Sequence, residues 1–526
     1  MSPISATLYE PTANEPRVRP LIKGSFVFVP SAGARYAPEV LILEFMREVF
    51  FEKHFGDTTR TRDLDPDEVD DERRHYHSIK ERAVLHALRG RRKQTKHSAA
   101  QRFFAPAYPQ LARFGWLRKS SDRVINNFLL SGPIAQCLWN RGHDTEDGKC
   151  RQQELVEKIW RALLGGRSCL DQGLEGKEIL AVTLGPKSFN TDTDLPKRNL
   201  QERTNQCNHV IRMEDEDALA NRITQDLVAI CDLESELPRM QWLQLLMTFL
   251  RFALPMWLLA QMQITGFLHA WLIDAVDNGN VAPNDVVLRG LLRRNRGLLH
   301  PTLTPTRELF EHVERYMKCR VEVDIFLYWI EKVRQDRIVE KTLCLGGGGR
   351  DVLSVEQLLT LARDASGDIR NTERFKAVAE GMDVRTFLTR EGEAFAAWRN
   401  PRMGGQGKNI DEFFRVLYRA ELGDEAGGYL LVPEGRGAKR GFRVFPGQML
   451  LKTVTYLAAQ GKWSSRPRGG AGKLVLEDVE EHFGQYGIDF STAADARPLL
   501  MKELQAMGLL TGSPDAGSSV AVACPY

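Results

Sequence analysis

Patterned cysteine is the first thing this chain lacks. Its eight cysteines are Cys137, Cys150, Cys169, Cys207, Cys231, Cys319, Cys344 and Cys524. They form no CxxC pair and follow no regular spacing. That excludes a secreted disulfide framework and fits reduced thiols in a cytosol. The start, Met-Ser-Pro-Ile-Ser-Ala-Thr-Leu-Tyr-Glu, lacks a basic segment followed by an apolar one, so no signal peptide is expected. An excess of one charge is missing too. Lys and Arg number 72 against 69 Asp and Glu, a net charge of +3. There is no general basic coat for nucleic acid, and any such binding must come from local patches.

Enzyme motifs are also missing. No GxSxG occurs. Pro401–Asn409 (PRMGGQGKN) has Arg402 where a phosphate-binding loop needs its first glycine, and Asn409 where it needs Ser or Thr. Gly469–Leu474 (GGAGKL) fails in a similar way, and both read as loops. His75 with His77, and Cys207 with His209, have no second pair at zinc spacing. Glu175-Gly-Lys177, with Asp171, could be a remnant of a metal-nuclease site. It precedes the Ile179–Leu184 strand instead of lying on a strand edge, and glycines surround it. No cofactor or metal is therefore expected. No repeat of 20–50 residues is visible, and Gly346–Gly349 is the longest low-complexity tract.

What is present is apolar substance. At 526 residues and 43% hydrophobic content, the chain can bury several cores across two to four domains. Strands are expected at Leu21–Val29 and Ile179–Leu184, and a helix at Glu39–His54. From about Glu214 the pattern becomes strongly helical. Further helices are expected at Val355–Arg363, Thr372–Glu380 and Ile410–Leu422, then short strands at Tyr429–Val432 and Phe442–Phe445. The fold class this implies is mainly α with minor β. The expected domains are an α+β unit over 1–165, a helical core with an apolar helical hairpin over 166–345, a helical linker region over 350–435 and a final domain over 436–526.

Phe252–Ile273 runs 22 residues without a formal charge, long enough to span a bilayer. Pro255, Gln261, Gln263, Thr265, Gly266 and His269 dilute it, and amides in lipid need partners. A helix buried in a protein core is the preferred reading, with a membrane segment left as the alternative.

Three basic clusters are candidate nucleic-acid contacts. Arg89, Arg91, Arg92, Lys93, Lys96 and Arg102 precede Phe103, Phe104 and Tyr108. Cations beside aromatics suit a groove that tracks a backbone and stacks bases. The same cations could instead pair with the acidic run at 63–72. Arg289, Arg293 and Arg296 share one helical face, as phosphate forks or surface ion pairs would. Lys439, Arg440, Arg443, Arg466 and Arg468 lie in a segment with few acidic residues.

The C-terminal pattern is the most specific. A first helix is expected at Gly447–Gln460, a second at Leu476–Tyr486 and a third at Ala493–Met507, capped by Ser491. Gly508-Leu-Leu, a turn over Thr511–Ser518 and an alternating strand at Val520–Ala523 follow. This order resembles the winged helix-turn-helix superfamily over about the last 80 residues. The resemblance implies a third helix able to enter the major groove of duplex DNA. Charge argues against that docking here. The third helix offers Arg497 and Lys502 against Asp495 and Glu503, and the wing has Asp515 and no cation.

These features point to a non-catalytic DNA-binding or scaffolding subunit of an intracellular, cytoplasmic, DNA-acting assembly. A bacterial genome-defence (antiviral) or DNA-processing system is the concrete expectation. Protein partners would supply ATPase or nuclease chemistry, and double-stranded DNA is a possible ligand. The alternatives are a protein–protein scaffold that never touches nucleic acid, and a metal-dependent nuclease with a dispersed site.

Overall fold

The computed structural model describes residues 211–212, 217–281, 297–334, 353–371, 376, 381–387, 389–390, 414–419, 427–435, 441–464, 473–491, 495–511 and 520–526. The elements expected at Leu21–Val29, Glu39–His54 and Ile179–Leu184 lie outside them, as do Gly346–Gly349 and most of Thr372–Glu380. The described part is mainly helical with minor β structure, in agreement with the composition pattern.

The organising element is α2 (Arg239–Asn278). At 1.5 Å per residue its 40 residues extend about 60 Å. Every residue from Thr248 to Ala260 is buried. A helix apolar on all sides needs partners on all sides. They are α1 (Asp217–Asp232), α3 (Glu308–Arg334), α4 (Val355–Asn371) and α5 (Gln448–Ser464). The apolar stretch is thus the central core helix of this part. It is one continuous helix, in keeping with the buried-helix reading of Phe252–Ile273. Pro255 has no N–H to donate to the Arg251 carbonyl, yet packing on every side carries the helix through it. Gly279 ends it in the left-handed region at φ 70°, where a side chain would be strained.

Arg251 is the one formal charge within Met240–Ile273. It is buried, and its guanidinium donates to the carbonyls of Val416 and Tyr418. A buried charge requires such partners. They belong to a 3-10 turn at Arg415–Leu417 that leads into an extended residue bridged to Leu431. Of the helix expected over 410–422, Phe414 is helical, and at Arg415–Tyr418 a turn and an extended residue take its place, with two carbonyls that cap Arg251.

Two short strands, β1 (Ile211–Arg212) and β2 (Leu353–Ser354), pair in parallel. The strands β3 (Leu431–Glu434) and β4 (Gly441–Val444) form an antiparallel hairpin with Leu431 opposite Val444. This hairpin crosses the boundary expected near residue 435. It leads into α5, α6 (Leu476–Gln485) and α7 (Ala496–Ala506). Ala521 bridges Val475, and Val522 bridges Leu510, both antiparallel. The last segment therefore lies between the residues that precede α6 and those that follow α7. The cap of α7 is Asp495, four residues after Ser491. One hydrophobic cluster runs from Leu219 to Val522. Among the described residues, the C-terminal helices share that core with α1 and α2.

Candidate functional site

The surface of the C-terminal helices follows from how α6 is seated. Glu477 and Asp478 lie in its first turn, where carboxylates favour the positive end of the helix. The Val475 N–H donates to the Asp478 carboxylate at 2.8 Å. The inner side of α6 carries Phe483, whose ring meets Phe252 of α2 edge-on at 6.0 Å. Beyond α6, the Gly487 carbonyl accepts from the N–H groups of both Leu298 and Leu299 at 3.0 Å.

Beneath this face lies a polar anchor that sequence reasoning missed. Asp226 of α1 is buried and accepts from the Tyr486 hydroxyl at 2.7 Å. His482 Nε2 is 2.9 Å from the same carboxylate oxygen. Arg222, one turn earlier on α1, is 3.5 Å from the other oxygen. Burial, the Asp226 charge and the hydrogen bond to it hold the Tyr486 phenol protonated, well above its ordinary range. The sequence signal was His482 and Tyr486 at i and i+4 on an apolar helix face. Their acceptor is more than 250 residues away, which no local pattern can reveal.

The outer side of α7 is poor in positive charge. Lys502 and Gln505 are exposed. Arg497 bends back to Glu480 of α6 at 3.1 Å. Burial raises the Glu480 carboxyl while Arg497 opposes the rise. Leu499, Met501 and Met507 are half-buried and add apolar surface.

Of the basic candidates, Arg443 is the one within the described residues. It lies on β4 and is ion-paired with Glu434 of β3, its diagonal neighbour in the hairpin. Lys439, Arg440, Arg466 and Arg468 lie outside the described residues, as do Arg289, Arg293 and Arg296. So do Arg89, Arg91, Arg92, Lys93, Lys96 and Arg102. The weaker metal candidates Asp171, Glu175, Lys177, His75, His77, Cys207 and His209 are outside them too. Among the described residues, no group of three or more His, Cys, Asp or Glu side chains is arranged to hold a metal ion.

Two further histidines are built into the helical body. His312 Nε2 bonds the Leu298 carbonyl at 2.8 Å. Burial lowers its proton affinity against the pull of that bond. His269 of α2 lies 2.5 Å from Glu322 of α3, beside Cys319. Burial works against a charge on this ring. Hydrogen bonds with Cys319 and Glu322 outweigh it and raise the imidazole to about 9.

In comparisons with protein-family models, curated proteins and solved structures, nothing matches the chain.

Proposed function

We propose that this chain is a non-catalytic scaffolding subunit of an intracellular DNA-acting assembly, and that its last 80 or so residues are a winged helix used for packing against protein. Partner subunits would supply ATPase or nuclease chemistry. The helix order α5, α6, α7 supports the winged-helix reading. So do the antiparallel bridges Val475–Ala521 and Leu510–Val522, which join the residues before α6, after α7 and after the turn.

The observation that carries the scaffolding reading is the charge on α7. A helix that enters the major groove must supply cations to phosphates and forks to base edges. Arg497 is engaged by Glu480, which leaves Lys502 as the exposed cation of α7. The seating of α6 on α1 and α2 adds support, because it fixes the module to the helical body. DNA contact, if part of the function, then belongs to the basic segments at 89–102, 289–296, 436–440 and 466–473.

The test is binding of the whole protein to labelled duplex DNA across a salt series. Scaffolding without nucleic-acid contact predicts no binding at low salt. Salt-sensitive binding lost on Arg89→Glu with Arg92→Glu, but kept in Lys502→Glu, supports DNA contact through the flanking segments. Binding lost in Lys502→Glu alone overturns the packing role of α7.

A further inference from the structure

We draw no further inference here: the strongest candidate, the outer face of α6 where Glu477 and Glu481 stand exposed one turn apart, is a patch of carboxylates, and nothing among the described residues shows what covers it.

Discussion

Replacing Asp226 with alanine removes the acceptor that ties α6 to α1. The Tyr486 hydroxyl at 2.7 Å and the His482 ring at 2.9 Å then have no acceptor in a site from which water is excluded. Each unsatisfied buried group costs about 1–3 kcal/mol. Breaking a buried charged pair by deleting one member costs about 3–5 kcal/mol. The expected loss is therefore about 3 kcal/mol or more in the stability of α6 on the body. The assay is native-state hydrogen exchange of the α6 amides, which reads local opening without assuming that the whole chain unfolds as one. A loss of about 3 kcal/mol accelerates exchange about 150-fold. Tyr486→Phe removes one hydroxyl and leaves Asp226 held by His482 and Arg222, so about 1 kcal/mol is expected. The double variant should be less harmful than the sum, since both changes act on one network. An Asp226→Ala protein whose α6 amides exchange within about fivefold of the original would refute the reasoning, because the anchor would then contribute less than one ordinary hydrogen bond.

Other changes test other joints. Gly447→Ala drives a methyl group into the Gly427 carbonyl, which itself receives the Met449 and Leu450 N–H groups at the start of α5. A loss of about 1–3 kcal/mol in thermal or urea melting is expected, as for overpacking between fixed atoms. Arg251→Ala leaves the Val416 and Tyr418 carbonyls without their donor and opens a cavity in α2. It should destabilise by at least about 3 kcal/mol, seen as early melting or insoluble expression. The His269 imidazole is raised in the folded state from 6.5 to about 9. Its contribution to stability is fully present below pH 6.5 and is lost as pH rises through about 9. Urea melts of the original and His269→Gln proteins should converge toward high pH. The His312 shift has the opposite sense. Its neutral form is favoured by folding, so stability should fall as pH drops below about 6.5, and His312→Gln should remove that part of the loss.

How much of the fold could be read in advance differs by element. The second C-terminal helix was legible to within a residue, because Leu476, Val479 and Phe483 recur at helical spacing and acidic residues open the first turn. The two strands of the hairpin were legible as short strands at 429–432 and 442–445, the first two residues early, whereas their antiparallel pairing is a finding of the structure. The end of the apolar stretch at Gly279 follows ordinary helix-stop chemistry. The segment at 410–422 was legible only in part: its apolar spacing suits a helix and Phe414 is helical, but Arg415–Tyr418 leave the α-helix. Two of its carbonyls are instead turned toward Arg251, and that requirement comes from a helix more than 160 residues away. The candidate site was less legible. Basic clusters are visible in any sequence, whereas the pairing of Arg497 with Glu480 and of Arg443 with Glu434 depends on which strand or helix ends up beside which.

Composition and periodicity by themselves pointed to a mainly helical fold with minor β, which the described residues bear out, to substance for a large core and to Met240–Ile273 as the most apolar part of the chain. These are properties of neighbours along the chain, where helical spacing acts directly. The tertiary structure alone decided which elements surround this apolar helix, namely α1, α3, α4 and α5. It alone brought Asp226 to His482 and Tyr486, and His269 to Glu322. The physical reason is desolvation. A buried polar group must find a partner wherever packing puts one, and sequence distance does not enter that requirement.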